Sequence, residues 1–167
     1  ETQADREFVV KEYNENAGRS RDPMRAVQTK QFLYIFNPWS NGTRVFATAT
    51  TGTSSYRRLA ALAKTDAFLA KRLEIYQHRV VEEMYDVAKD PACLHNLINE
   101  KKYEAVIEQQ RQRLLAWMEK TNDHMLPMYR NRTDADAREA YVVAMEAASA
   151  ARGSKNKKPK PQGPKPV

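Results

Sequence analysis

One short segment, residues 32–36, constrains the fold of this chain more than any other because every residue in it is apolar. Its sequence is Phe-Leu-Tyr-Ile-Phe, and successive side chains of an extended strand point to opposite faces of a sheet. The three aromatic side chains would therefore share one face, and the two aliphatic side chains would share the other. Both faces need a cover, so the segment predicts a central strand with packing on each side.

Turn signals and β-branched residues predict further strands around this one. Residues 24–29 would form a strand that joins it through a tight turn at Lys30-Gln31. Pro38 ends the central strand, and Asn41-Gly42 is a strong turn signal. Residues 45–50 and 80–87 are the other strand candidates.

Three stretches also show the periodicity of a helix. The longest, residues 100–121, places apolar side chains on one face and charged side chains outside it. The other two begin near Tyr56, with a break near Thr65-Asp66, and near Ala135. The predicted caps are Ser54 or Ser55 for the first of these, and a capping box of Thr133 and Asp136 for the second. Since strands and helices do not alternate strictly, we predict an α+β fold, with a small antiparallel sheet of about three or four strands packed against the long amphipathic helix.

The formal net charge of +7 is concentrated at the end of the chain. Residues 152–167 contain six Lys and Arg residues and no acid, so the rest of the chain carries +1. Such a segment, rich in proline and lysine, cannot bury enough apolar surface to pack. We expect a solvated, disordered tail that could contact an anionic polymer, and we do not expect a nucleic-acid partner.

Other whole-chain features narrow the class of protein. The single cysteine, Cys93, excludes an internal disulfide, and no apolar run is long enough to cross a membrane. Cys93 follows Pro91 between apolar neighbours, so a small buried thiol is expected, and nothing beyond the nearby His95 suggests a catalytic dyad. The chain begins at Glu1 without an apolar leader, which predicts that a leader was removed or that the chain belongs to a longer protein.

Three groups of residues then give a resemblance to a known family. They are Pro23-Met24-Arg25 before the central strand, Glu83-Met84-Tyr85-Asp86 followed by Asp90-Pro91 and Asn96-Leu97, and Leu114, Trp117, Thr121 and Asp123 at the end of the long helix. The second group resembles the closing segment of the sulfatase family. The first and third resemble segments of sulfamidases (N-sulfoglucosamine sulfohydrolases) and their bacterial relatives. Over roughly residues 12–130, the resemblance implies the C-terminal region of a sulfatase, closest to the sulfamidase-like bacterial members.

The residues that perform the chemistry of this family lie upstream of such a region. The family's nucleophile is a formylglycine made from Cys-x-Pro-x-Arg or a serine variant, and its calcium site uses paired aspartates and an Asp-Asn pair. Cys93 begins Cys-Leu-His-Asn-Leu, and neither a serine variant nor the calcium grouping is present. The resemblance implies a parent enzyme that uses calcium and formylglycine, whereas this chain alone would supply no catalytic residue, metal ligand or cofactor.

A polar cluster before the first predicted strand is the candidate for substrate contact. It comprises Asn14, Glu15, Asn16, Arg19 and Arg25. Asn and Glu can bind sugar hydroxyls, and arginine can bind sulfate or carboxylate through two parallel hydrogen bonds. A solvated loop is the alternative, and Arg25 could instead anchor the strand. The resemblance implies that this region faces a sulfated carbohydrate and that the upstream catalytic domain is the partner, in a periplasmic or secreted enzyme.

Two departures from the family bear on this interpretation. Animal sulfamidases carry a His-His-Glu run before Pro-Met-Arg, where this chain has residues 14–19, and Cys93 stands where the family's Asp-Pro-x-Glu run has glutamate. The first departure puts specificity for N-sulfoglucosamine in question because that region would face the sugar.

The interpretation divides the chain into four parts. Residues 1–22 would be a polar lead-in from the catalytic domain, 23–132 the C-terminal subdomain, 133–151 an alanine-rich helix and 152–167 the tail. Two other functions stay open. One is a stand-alone module that binds an anionic polymer through the tail and Arg19, Arg21 and Arg25, and the other is a structural domain without a ligand.

Overall fold

A four-stranded antiparallel sheet forms the centre of the protein. The computed structural model describes residues 7–15, 21–46 and 48–155. The strands are β1 (Val9–Tyr13), β2 (Met24–Gln28), β3 (Phe32–Phe36) and β4 (Glu82–Asp86), and they lie in the order β1-β2-β3-β4. Together with the helices described below, this sheet confirms the predicted α+β class.

β1 lies in the stretch that the sequence assigned to a polar lead-in, and it was not predicted. It pairs with β2 over its whole length, from Val9 opposite Gln28 to Tyr13 opposite Met24. Val9, Lys11 and Glu12 are exposed, and none of the five residues is fully buried. A strand with so few apolar contacts gives a weak periodicity signal, and its order comes from the hydrogen bonds that β2 supplies.

The β2–β3 connection and the central strand follow the prediction. The Thr29 amide donates to the Phe32 carbonyl at 2.8 Å, and the Thr29 hydroxyl accepts from the Phe32 amide at 2.9 Å, which closes the turn at Lys30-Gln31. β3 lies between β2 and β4, with Tyr34 and Phe36 fully buried on one face.

The strand predicted over residues 45–50 is wrong. The Phe46 amide makes one backbone hydrogen bond, to the Gln77 carbonyl at 2.7 Å, and a 3-10 turn capped by Thr48 covers Ala49–Gly52. β-branched residues stabilise a strand only where a neighbouring strand can pair with it. Both sides of β3 are already occupied, so this stretch is a connecting segment instead.

Two helices, α1 (Ser54–Leu62) and α2 (Ala67–His78), form a hairpin between β3 and β4. The break between them confirms the one predicted near Thr65-Asp66. Thr53, and neither of the two predicted serines, caps α1 by accepting from the Tyr56 amide. No residue of either helix is fully buried, so this α1–α2 hairpin is a peripheral layer.

The long helix α3 (Glu104–Thr121), after a 3-10 turn at Lys101–Tyr103, covers the other face of the sheet as predicted. It buries Ile107, Leu114 and Met118 in one core with the Tyr34 and Phe36 face of β3. α4 (Leu126–Arg130) and α5 (Ala135–Lys155) follow it.

α5 differs from the prediction at both ends. The Asp134 carboxylate accepts from the Ala137 amide at 3.0 Å, so Asp134 fills the capping role that was predicted for Thr133 and Asp136. The helix continues to Lys155, four residues into the predicted tail, and residues 156–167 lie outside the described residues. None of the described helices is long and apolar enough to cross a membrane.

Candidate functional site

A buried ion pair between Arg25 and Asp123 lies at the centre of the predicted polar cluster. The two side chains are 0% and 2% exposed, and they meet through Nε to Oδ2 at 2.6 Å and Nη2 to Oδ1 at 3.2 Å. Arg25 therefore lies inside the protein and joins β2 to the end of α3. This geometry is that of the strand anchor, which the sequence left open as an alternative to substrate contact.

The end of α3 fixes the position of Asp123. Asn122 adopts a left-handed conformation with φ of 52°, which ends the helix, and the Asp123 amide then donates to the Met118 carbonyl at 2.9 Å. The Asp123 carboxylate also accepts from the Met125 amide at 2.7 Å. The carboxylate that holds Arg25 is thus itself held by the backbone of two turns.

Arg25 in turn positions the segment that follows β1. Its Nη1 donates to the Tyr13 carbonyl at 3.2 Å, to the Met24 carbonyl at 2.9 Å and to Asn14 Oδ1 at 3.0 Å. A guanidinium can only donate, so Asn14 must turn its carbonyl oxygen inward. Among the described residues, the Asn14 amide nitrogen has no hydrogen-bond partner.

His124 and Tyr141 complete the support for Asn14. His124 Nε2 lies 3.2 Å from Asn14 Oδ1, and His124 Nδ1 lies 3.0 Å from the Tyr141 hydroxyl. His124 Nε2 also lies 3.3 Å from Arg25 Nη2, a group that can only donate, so this nitrogen contacts both a donor and the Asn14 oxygen. Burial raises the pKa of Tyr141 to about 12, so its hydroxyl is protonated at neutral pH.

Glu15 is also engaged with charged partners. Its Oε2 lies 2.6 Å from Arg21 Nε and 2.6 Å from Arg152 Nη2, which comes from the end of α5. Two cations therefore compensate this carboxylate, and Arg21 is committed to it. Asn16 and Arg19, the other two predicted site residues, lie outside the described residues.

The Glu83-to-Leu97 group holds β4 in place. Glu83 is 1% exposed and accepts from Arg79 through two hydrogen bonds of 2.7 Å, and from Asn37 and Tyr85. Asn96 Oδ1 accepts from the Met84 amide at 2.9 Å, and the next amide along the chain donates to the Met84 carbonyl at 2.7 Å. These contacts stabilise the fold and leave Glu83 inaccessible to a substrate.

Cys93 has the properties of an unreactive thiol. It is half-buried beside a cavity of about 250 Å³ between α2 and the sheet, and burial raises the pKa of the thiol. A raised pKa lowers the fraction of thiolate, which is the nucleophilic form. Among the described residues, no group of three or more His, Cys, Asp or Glu could hold a metal ion, so these residues do not fit the calcium that the resemblance implies for the parent enzyme.

Sequence reasoning brought Asn14, Glu15 and Arg25 together because they are near one another along the chain. It missed His124 and Tyr141, which reach the site from the end of α3 and from α5. His124 is 110 residues from Asn14. The one available signal was the Asp123 of the third motif, which directly precedes His124.

Comparison with known proteins adds a likeness of fold. No protein-family model matches the chain, and no curated protein matches it. Among solved structures it is similar to a 2-O GAG sulfatase and to a protein of Bacteroides thetaiotaomicron assigned as a sulfatase. In each case the identity is 19%, the TM-score is 0.44, and the match covers 74% of this chain. The chain spans 18% of the length of each of these proteins.

Proposed function

We propose that this chain is the C-terminal portion of a sulfatase that hydrolyses sulfuric esters or sulfamates of sulfated sugars. The observation that carries the proposal is that the residues of the resemblance contact one another. Arg25 of the first group pairs with Asp123 of the third across 98 residues of sequence, and Asn96 pairs with Met84 within the second. Residues that carry the resemblance, although far apart in sequence, therefore support one another in the fold.

In this proposal the chain completes the fold and supplies the substrate side of the cleft. Asn14 offers two N–H donors, which suit sugar hydroxyls or sulfate oxygens. Arg25 and His124 act as positioning residues that fix the orientation of the Asn14 amide. The upstream catalytic domain would supply the formylglycine nucleophile and the calcium ion that binds the sulfate oxygens, in a periplasmic or secreted enzyme.

The first experiment determines the coding sequence upstream of Glu1. The proposal expects an open frame that reaches a Cys-x-Pro-x-Arg or Ser-x-Ala-x-Arg motif preceded by paired aspartates. A start codon and leader directly before Glu1 would exclude catalysis and overturn the proposal.

The second experiment tests Asn14 in the full-length product. Sulfate release from sulfated disaccharides is measured for the unmodified protein and for Asn14→Ala. Loss of a direct hydrogen bond to substrate should raise KM by about tenfold. The thermal midpoint should fall only slightly, because Arg25 Nη1 loses the Asn14 oxygen but still donates to the Tyr13 and Met24 carbonyls. Asn99→Ala is the matched control because Asn99 is exposed and makes no hydrogen bond with the described residues. Equal kinetics for the two variants would remove Asn14 from the substrate site.

The alternative function, a stand-alone module that binds an anionic polymer, is disfavoured by the positions of two of its three arginines. Arg25 is buried against Asp123, and Arg21 is paired with Glu15. Neither guanidinium is available to a polymer in this arrangement, and Arg19 lies outside the described residues.

A further inference from the structure

The α1–α2 hairpin carries a surplus of positive charge that the overall composition conceals. Residues 54–79 contain six Lys and Arg residues and two Asp and Glu residues. The excess of four charges exceeds the +1 of the whole chain before residue 152, so the rest of that part is net negative. The body of the protein is therefore divided into a basic layer and a mildly acidic remainder.

Most of the hairpin's cations have no acidic partner. Arg57, Arg58, Lys64 and Lys71 are exposed, and none of them forms an ion pair with a carboxylate of the described residues. Elsewhere in the described part of the chain, seven arginines are ion-paired, at positions 21, 25, 44, 111, 130, 132 and 152. Among the described residues, the hairpin therefore leaves a larger share of its cations without a carboxylate partner than the rest of the chain does.

The local sequence reinforces this positive surface. α1 has no acidic residue in its first turn, and Arg57 and Arg58 lie directly after that turn. The N-terminal end of a helix already carries a partial positive charge, so these two side chains add to it instead of compensating it. Anions are favoured over cations at this end of a helix, so a bound anion would compensate these two side chains.

A series of aromatic contacts connects this surface to the candidate site. Tyr13, next to Asn14, contacts Phe46 at 5.8 Å between ring centroids, and Phe46 contacts Tyr76 of α2 at 6.4 Å. Tyr76 contacts Tyr56 at 5.7 Å, and Tyr56 directly precedes Arg57. Three ring contacts therefore link Tyr13, the neighbour of Asn14, to Tyr56, the neighbour of Arg57.

We propose that the outer surface of the α1–α2 hairpin binds the anionic chain of a sulfated polysaccharide beyond the sugar held at Asn14. This inference rests on the proposed function, because it names the polymer that the candidate site would process. Single-stranded nucleic acid fits less well, since its binding sites present successive exposed rings for base stacking. Of the hairpin's aromatic residues only Phe68 is exposed, whereas Tyr56 and Tyr76 are engaged in the aromatic series.

Two charge-reversal variants of the 167-residue chain test the surface. The hairpin variant combines Arg58→Glu, Lys64→Glu and Lys71→Glu. The control combines Lys30→Glu, Lys101→Glu and Lys120→Glu, three exposed lysines that are scattered outside the hairpin and form no ion pair with the described residues. Both variants change the net charge equally, so a difference between them reports position and not total charge. Circular dichroism checks that both are folded.

Binding to immobilised heparin is measured as a function of salt. We expect the hairpin variant to bind heparin at least about tenfold more weakly than the unmodified chain, with a shallower salt dependence. The control should stay within about threefold of the unmodified chain. Equal losses in the two variants, or no loss in either, would overturn the proposal. Loss of binding on deletion of residues 156–167 with the hairpin intact would also overturn it, as would equally tight binding of single-stranded oligothymidine.

A separate measurement distinguishes failure of this inference from failure of the proposed function. Hydrolysis of a sulfated disaccharide by the full-length protein should be unaffected by the hairpin variant because the short substrate does not reach the hairpin. If the unmodified full-length protein releases no sulfate, the proposed function fails whatever the hairpin binds. If it releases sulfate and the hairpin variant binds heparin normally, only the inference about the hairpin fails.

Discussion

Replacing Asp123 with alanine should destabilise this protein more than the loss of any exposed ion pair. The Arg25 side chain is 0% exposed, and Asp123 supplies the carboxylate that it contacts through two hydrogen bonds. After the substitution, the guanidinium keeps the neutral oxygens of Tyr13, Met24 and Asn14 as close acceptors. Glu12, 3.6 Å away and 47% exposed, compensates the charge weakly.

The expected magnitude follows from the buried charge that is left behind. Breaking a buried ion pair by removing one partner costs about 3–5 kcal/mol, because the remaining ion cannot return to water without unfolding its surroundings. For a domain with a urea m-value of about 2 kcal/mol/M, that cost lowers the unfolding midpoint by about 1.5–2.5 M. The double variant Arg25→Met with Asp123→Leu should be more stable than Asp123→Ala since it leaves no unpaired charge.

The assay is urea unfolding followed by tryptophan fluorescence and circular dichroism. Glu119→Ala is the control because it removes an ion pair with Arg130 whose side chains are 46% and 57% exposed. That pair should contribute about 0–1 kcal/mol. A midpoint for Asp123→Ala equal to that of Glu119→Ala would refute the role of the Arg25–Asp123 pair as the anchor between β2 and α3.

Three further predictions concern the supports of the fold. Asn96→Ala should cost about 1–3 kcal/mol in urea unfolding because the Met84 amide loses its acceptor, and an unchanged midpoint would contradict this. Asn122→Ala should cost about 1 kcal/mol and Asn122→Gly less, since φ of 52° favours glycine, so equal costs would argue against backbone strain. Burial raises the pKa of Tyr129 and of Tyr141 to about 12 from the ordinary value of 10.0, so the folded state keeps these protons after the unfolded state has lost them. Stability should therefore be unaffected by these groups below pH 10 and fall as the pH rises from 10 towards 12, and urea midpoints that are constant across that range would contradict the prediction.

The elements that were predicted correctly are those whose apolar pattern is complete within the element itself. The two-sided apolar pattern of residues 32–36 required neighbours on both sides, and the three-four spacing of residues 100–121 required one buried helix face. β1 was not predicted, and the strand over residues 45–50 was predicted wrongly, and both errors have one cause. Whether a weakly apolar or β-branched stretch forms a strand depends on whether a partner edge is free, and the edge of β2 was free whereas those of β3 were not.

The candidate site could be predicted only in part for a related reason. Asn14, Glu15 and Arg25 are close in sequence, so their chemistry could be considered together. Their partners are not close: Asp123 lies 98 residues from Arg25, and Arg152 lies 137 residues from Glu15. A single sequence shows no pattern that reveals such distant pairings. Arg25 is buried because of these partners, and its neighbours in sequence do not indicate that burial.

The contacts also show which residues of the family resemblance serve the fold and therefore say nothing about the substrate. The side chains of Arg25, Asp123 and Glu83 are buried and hold one another or the strands, so the fold by itself accounts for these residues. Residues 14–19, which include Asn14, differ from the His-His-Glu run that animal sulfamidases carry before Pro-Met-Arg. The contacts that hold the resembling residues together therefore give no support to N-sulfoglucosamine as the substrate. Specificity should therefore change with substitutions at Asn14 and its neighbours, and stability with substitutions at Asp123.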